Sequence, residues 1–396
     1  MNVRNRKMQG PVRRRSARFS QAGFSLIELM VASIMGLFIM LAILMLFTNV
    51  SRTNDEMSKA NALIENGRFA IQLLQDDIAH AGFWDAYIPD FDDLTLDTDE
   101  APTAIPTGVP QPCLAYSSWT SAIRTNRLGI AVQVHDSVPS GCSGVVTNRK
   151  SGTDILVVRH VNTLPTCLPG QTEGCEAEVS GKLYFQASRC TTDTNDYVLA
   201  TSGHNLHERN CTTLAPKRRF ISNLYYVRDY AVTAGDGIPT LVRSEFDLDS
   251  GAVKATAAVA LIEGVEGLRV QLGVDRISDA GNDIIDLSDD SDPYRDPVDW
   301  ADAKHLTSPT NRGDGVPDEY IHCSGACTVD RLINVVAVKL HLLVRSQTVS
   351  QGYVDGKSYT LGDQTITPVS TETGYKRHVF STVVRLNNVS GRRETP

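Results

Sequence analysis

The stretch Gly23-Phe24-Ser25-Leu26-Ile27-Glu28, continued without a break by LMVASIMGLFIMLAILMLF to Phe47, decides how the rest of the chain is read. From Phe24 to Phe47 the only charge is Glu28, and the only hydroxyls are Ser25 and Ser33. As a helix this run is roughly 36 Å long, and a bilayer core needs about 20 apolar residues, so it can span. It holds no proline, and Gly36 alone lowers its helix propensity. A cleaved secretory signal has an apolar core of about 7–15 residues followed by a small-residue cleavage site. This run is longer and no such site comes after it. An ordinary signal anchor is the simpler rival, and the basic flank argues against a buried core helix.

That flank is Arg4, Arg6, Lys7, Arg13, Arg14, Arg15 and Arg18, with no acid before Gly23. Such a block holds residues 1–23 in the cytoplasm and places the body on the far side of the membrane. The whole chain has 396 residues, 38 basic and 46 acidic groups; without the seven leader charges, 31 bases face 46 acids, a net of −15. An acidic body argues against nonspecific nucleic-acid binding, which depends on Lys and Arg neutralising phosphates. With 41% hydrophobic residues the chain can bury a sizeable core.

The basic leader, Gly23, an aromatic at Phe24, Glu28 as the fifth residue after Gly23 and the unbroken apolar helix together resemble a type IV prepilin processing site. The resemblance implies cleavage between Gly23 and Phe24 by a prepilin peptidase, then N-methylation of Phe24. An ionisable group inside a span is costly and a functional hypothesis by default. In pilin-like assemblies the partner of this carboxylate is the N-terminal amine of a neighbouring subunit, so Glu28 is expected to set register by pairing with a Phe24 amine. Such a pair specifies position better than it adds stability. The plainer role for Glu28 is an interfacial carboxylate reaching headgroup water.

The helical pattern continues beyond the span. Ala60, Leu63, Ile64, Gly67, Ile71, Leu74, Ile78 and Ala81 recur at spacings of three and four, one apolar face of an amphipathic helix. Gly82 reads as its stop. One helix over 24–81 is expected, with two helices broken at 48–54, where Thr, Asn and Ser cluster, as the alternative. The run 65–84, ENGRFAIQLLQDDIAHAGFW, is similar to the equivalent stretch of PilW-type minor pilins, with Ala79 in place of a common arginine.

Residues 85–112, rich in Asp, Thr and Pro, read as a loop or linker. Beyond them short β-like runs predict strands over 154–161, 183–187, 220–230, 241–246, 268–274, 335–345 and 379–386. Val336, Val338, Leu340, Leu342 and Val344 alternate with Ala337, Lys339, His341, Leu343 and Arg345, the period of a half-buried strand. The class is α+β, a pilin-like long helix on an antiparallel sheet head with large loop insertions. The segments 225–229, 260–275 and 375–386 also resemble PilW sequences; 85–215 resembles no family. The divisions are therefore 1–23 leader, 24–47 transmembrane and assembly helix, 48–82 amphipathic continuation, and 83–396 head with an acidic insertion at 275–319.

The eight cysteines are Cys113, Cys142, Cys167, Cys175, Cys190, Cys211, Cys323 and Cys327. The topology puts them where disulfides persist. Eight allow about 105 connectivities; sequential pairing is expected, above all Cys323–Cys327. Zinc is disfavoured, since no C-x2-C occurs. Residues 275–319 carry thirteen acids and four bases. Gly313-Asp314-Gly315-Val316-Pro317-Asp318-Glu319 resembles the end of a calcium loop, with Asp275, Asp279 and Asp283 upstream, but Thr310 and Arg312 stand at ligand positions. Calcium through Asp275, Asp279, Asp314 and Asp318 is the one candidate cofactor; a solvated acidic loop is the rival. His204 and His207 read as surface histidines. The absence of H-E-x-x-H, G-x-S-x-G and Walker A sequences leaves no support for an enzyme.

These observations imply a PilW-like minor type IV pilin of the bacterial inner membrane and pilus, acting in pilus priming or a tip complex for adhesion and twitching motility. Its expected partners are other minor pilins, the major pilin and the prepilin peptidase/methyltransferase. The alternatives are a type II secretion pseudopilin and a signal-anchored periplasmic adhesin or binding module.

Overall fold

The computed structural model describes residues 23–92, 104–168, 170–277, 313–325 and 327–393. They fall into two compact units, one ending at Met57 and one beginning at Ser58. A single helix, α1 (Leu26–Ala79), runs through 48–54 without a break. The hydroxyls in that stretch bond back to the helix rather than competing with it. Thr48 Oγ1 donates to the Met45 carbonyl at 3.0 Å and Thr53 Oγ1 to that of Asn49 at 2.9 Å. The helix ends two residues before the expected Ala81, in a turn closed by Gly82 at φ +73°, whose N–H donates to the Arg159 carbonyl at 2.9 Å.

In the first unit every residue from Gly23 to Asp55 is exposed, Leu26 and Phe47 at 76% and 70%. One helix there is long and apolar enough to cross a membrane. In the second unit α1 buries Leu63, Gly67, Ala70, Leu74 and Ile78, the stripe that the three-and-four spacing marks out. Complete burial of a Leu or Ile side chain contributes about 1.5–3 kcal/mol.

Among the described residues the head contains two antiparallel sheets and a hairpin, where the sequence suggested one sheet. The eight-stranded sheet runs β1 (Val132–His135), β2 (Ile155–Val161), β5 (Lys217–Arg228), β3 (Tyr184–Ala187), β4 (Tyr197–Ala200). β6 (Thr240–Asp249) also pairs with β5, and carries β7 (Ala252–Ala255) and β8 (Val259–Glu263). The four-stranded sheet runs β10 (Glu319–Ile321), β9 (Val265–Val274), β11 (Val335–Arg345), β14 (Arg377–Arg385). β12 (Tyr359–Leu361) and β13 (Gln364–Ile366) form the hairpin. β11 and β14 pair without a bulge from Ala337 against Arg385 to Arg345 against Arg377. β11 turns Val336, Val338, Leu340, Leu342 and Val344 into the core shared with Leu63, Ala70, Leu74 and Ile78 of α1 and with Val134, Leu156 and Tyr225 of the other sheet.

Residues 85–215, which the sequence left without a family, contain regular elements. They hold β1 to β4 and the nine-residue helix α2 (Ser121–Gly129), which Thr120 caps by accepting from the Ile123 N–H. An aromatic satellite core lies here, with Trp84 stacked on Phe220 at 5.9 Å and Trp119 on Phe246 at 5.1 Å. Three disulfides, Cys113–Cys142, Cys167–Cys175 and Cys190–Cys211, staple this region; the fourth is Cys323–Cys327. All four follow the sequential pattern. The C-terminal turn, α4 (Asn387–Ser390), closes the far end of α1. Asn388 Nδ2 donates to the carbonyls of Ala79, His80 and Ala81 at 3.3–3.4 Å, and Arg392 donates to that of Gly82 at 2.6 Å. An amide and a cation thus satisfy carbonyls that a helix C-terminus leaves without partners.

Candidate functional site: processing segment, helix and insertion neck

Gly23, Phe24 and Ser25 precede the first helical turn, and Phe24 is 86% exposed. Among the described residues nothing lies within 4 Å of where a Gly23 side chain would be. Glu28 has a local role that the sequence reading missed. The Ser25 N–H donates to Glu28 Oε2 at 3.0 Å, while the Glu28 N–H donates to Ser25 Oγ at 3.3 Å. This reciprocal pair is a capping box, legible in Ser25-Leu26-Ile27-Glu28 as S-x-x-E. Within one chain, then, the carboxylate caps its own helix.

In the second unit α1 is fixed to the sheets by two features of the run 65–84. Gly67 faces Phe380 of β14 so closely that a Cβ would meet its ring at 2.1–2.6 Å. Asp77 is the polar anchor. It accepts from His160 Nε2 at 2.9 Å, from Asn223 Nδ2 at 3.0 and 3.1 Å and from the Tyr225 hydroxyl at 2.9 Å. Burial and the adjacent Asp77 charge hold the Tyr225 phenol far above its ordinary range, so it remains a donor.

Of the candidate calcium residues, Asp279 lies outside the described residues. Asp275 is fully buried. Its Oδ2 accepts from the Gly315 N–H at 2.9 Å, with Arg393 at 3.4 Å, and burial pushes its carboxyl up to about 6. Gly313 is required beside it, since a Cβ there would lie 2.1 Å from Asp275 Oδ1. Asp318 Oδ2 accepts from the N–H groups of Arg276 and Ile277 at 2.8 and 2.9 Å, and Asp314 Oδ1 from that of Val316 at 2.8 Å. Among the described residues no three Asp, Glu, His or Cys side chains are grouped so as to hold a metal. Each of these three acids accepts from backbone N–H groups, within 275–277 and 313–318. His204 Nε2 donates to the Tyr184 carbonyl at 3.2 Å and His207 Nδ1 to Asp193 Oδ1 at 2.9 Å, so each has its own partner.

No curated protein matches the sequence. Among solved structures, a type IV-like pilin from Thermus thermophilus is similar over 65% of this chain and 83% of its own, at 10% identity and a TM-score of 0.26. The family model of type IV pilus-assembly protein W matches residues 224–388, which run from within β5 through α4 and include Tyr225, Gly313, Gly315 and Phe380. By that match, residues 224–388 are similar to the type IV pilus-assembly protein W family.

Proposed function

We propose that the chain is a minor type IV pilin, inserted as a prepilin, cut between Gly23 and Phe24, methylated at Phe24 and assembled with other pilins in a priming or tip complex. The supporting observation is the conjunction of a PilW match in the head with an exposed Gly-Phe junction directly before a long apolar helix. A span with every side chain exposed needs lipid first and neighbouring helices afterwards. In this reading Glu28 exchanges its contact with the Ser25 N–H for the amine of a neighbouring Phe24, a stronger, charge-assisted partner.

The experiment is N-terminal sequencing of the protein extracted from membranes of a peptidase-positive cell. Mature protein beginning at methylated Phe24 is expected, with Gly23→Val accumulating unprocessed chain. Recovery of chain beginning at Met1 in the wild type refutes the reading.

A further inference from the structure

Five arginines are almost completely buried in the head, and they divide into two groups. Arg345, Arg377 and Arg393 face carboxylates: Arg377 reaches Glu266 at 2.6 Å and Asp355 at 3.2 Å, Arg345 reaches Glu372 at 3.7 Å, and Arg393 reaches Asp92 at 3.3 Å. Arg127 of α2 and Arg159 of β2 have no exposed surface and, among the described residues, no carboxylate partner. Arg127 donates through one terminal nitrogen to the carbonyls of Gln111 and Pro112, at 2.5 and 3.4 Å. Its guanidinium lies 4.1 Å from the Trp119 ring and 5.3 Å from that of Phe246. Its Nε and other terminal nitrogen have no hydrogen-bond partner. Arg159 donates to the Ile130 carbonyl at 2.9 Å and to Gln133 Oε1, and its Nε has no partner. Gln133 joins the two, because its Nε2 donates to the Pro110 carbonyl at 3.1 Å, beside the carbonyls that Arg127 holds. His135, two residues along β1, also has a buried ring nitrogen without a partner.

Proline accounts for half of this arrangement. Pro106, Pro110 and Pro112 keep the segment before Cys113 from forming a ladder of its own, so side chains must supply its carbonyls with donors. Glutamine or asparagine would do this without a charge, as Gln133 does. Two guanidiniums also bring two positive charges into the interior, at several kcal/mol per ion when nothing neutralises them. Burial pushes Arg127 down to about 9, and burial together with the Arg127 charge depresses Arg159. The cluster has surplus charge and surplus donors, and an anion supplies what both lack.

We propose that Arg127 and Arg159, linked through Gln133, form an internal binding site for a small monovalent anion, a halide or a carboxylate, held from α2 and β2 in the disulfide-stapled region. The ligand completes the N–H groups that the carbonyls of residues 110–112 leave over. It couples the proline segment to the eight-stranded sheet, and the stability of this region then depends on anion concentration.

Trp119 provides the readout, because it is buried and stacks on Arg127. Full-length protein in detergent is titrated with sodium iodide at constant ionic strength, balanced by a bulky morpholine sulfonate. Saturable quenching of the buried tryptophan fluorescence is expected. The unfolding equilibrium constant should fall about tenfold for each tenfold rise in iodide beyond half-saturation. Sodium acetate separates the two ligand classes: competition with iodide identifies a site open to carboxylates, and its lack a site for halides. Arg159→Met leaves the Trp119–Arg127 stack in place and should abolish both the saturation and the stabilisation. If that variant does not fold, the wild-type protein decides alone. Strictly linear quenching with equal melting in iodide, acetate and sulfonate overturns the proposal and assigns the surplus donors to water.

Discussion

Replacing Asp77 by alanine tests whether the polar anchor, rather than the apolar stripe alone, fixes α1 in the head. The carboxylate is 12% exposed and receives hydrogen bonds from three side chains, His160, Asn223 and Tyr225, all buried. A hydrogen bond to a charged group contributes about 1.5–3 kcal/mol, and a buried donor left without its acceptor costs about 1–3 kcal/mol. Simple addition over three donors overstates the loss, because water can enter at the exposed edge and coupled partners are not additive. A loss of about 3–4 kcal/mol is therefore expected for Asp77→Ala. Asp77→Asn keeps the volume and one acceptor oxygen but loses the charge, and should lose about 2 kcal/mol. The assay is unfolding of full-length protein in detergent, followed by near-ultraviolet circular dichroism, with Asn223→Ala completing a double-mutant cycle. A coupling of at least about 1 kcal/mol is expected between the two positions. If Asp77→Ala melts within about 0.5 kcal/mol of the wild type, the carboxylate is a solvated surface acid and the argument fails.

Two other perturbations have signs that rest on particular contacts. On an open helix surface Gly→Ala gains about 1 kcal/mol, but Gly67→Ala drives a methyl into the Phe380 ring and should cost a net of about 1–2 kcal/mol; Phe380→Leu should restore the loss, and a stabilised Gly67→Ala would contradict the close approach. His135 is held down to about 4 by burial and by Arg159, against a partial upward pull from Asp136. Between its ordinary 6.5 and about 4 the unfolded chain binds the proton that the folded chain refuses. Stability is then complete above pH 6.5 and declines as pH falls through that window, by at most about 3 kcal/mol. His135→Gln should flatten this part of the pH–stability curve without removing it, since burial lowers His204 and His341 in the same direction. An unchanged slope would show that His135 titrates normally.

The capping box at Ser25 and Glu28 alters how an assembly role for Glu28 is to be tested. Glu28→Gln retains an acceptor for the Ser25 N–H but has no charge to offer a neighbouring amine, whereas Glu28→Ala loses both. Comparing the two separates helix capping from subunit register, which a single alanine substitution confounds.

Sequence by itself was sufficient for every feature that depends on local pattern. The apolar span, the helix face Leu63, Gly67, Leu74 and Ile78, and the bounds of β11 come from periodicities of 3.6 and 2 that backbone geometry imposes. The capping box is equally present in four consecutive letters, Ser25 to Glu28. What short-range pattern cannot carry is which distant groups meet. β1, β4 and the hairpin strands are three or four residues long, too short for a period to register, and exist because a neighbouring strand pairs them. Whether the acids at 275, 314 and 318 hold an ion or hold backbone depends on the return path of a chain about 40 residues longer. Most of all, nothing in the local pattern singles out Asp77 among the polar residues of α1. Only the tertiary structure brings to it His160, Asn223 and Tyr225 from 83 to 148 residues away, because burial leaves a charge no alternative but the donors that folding places around it.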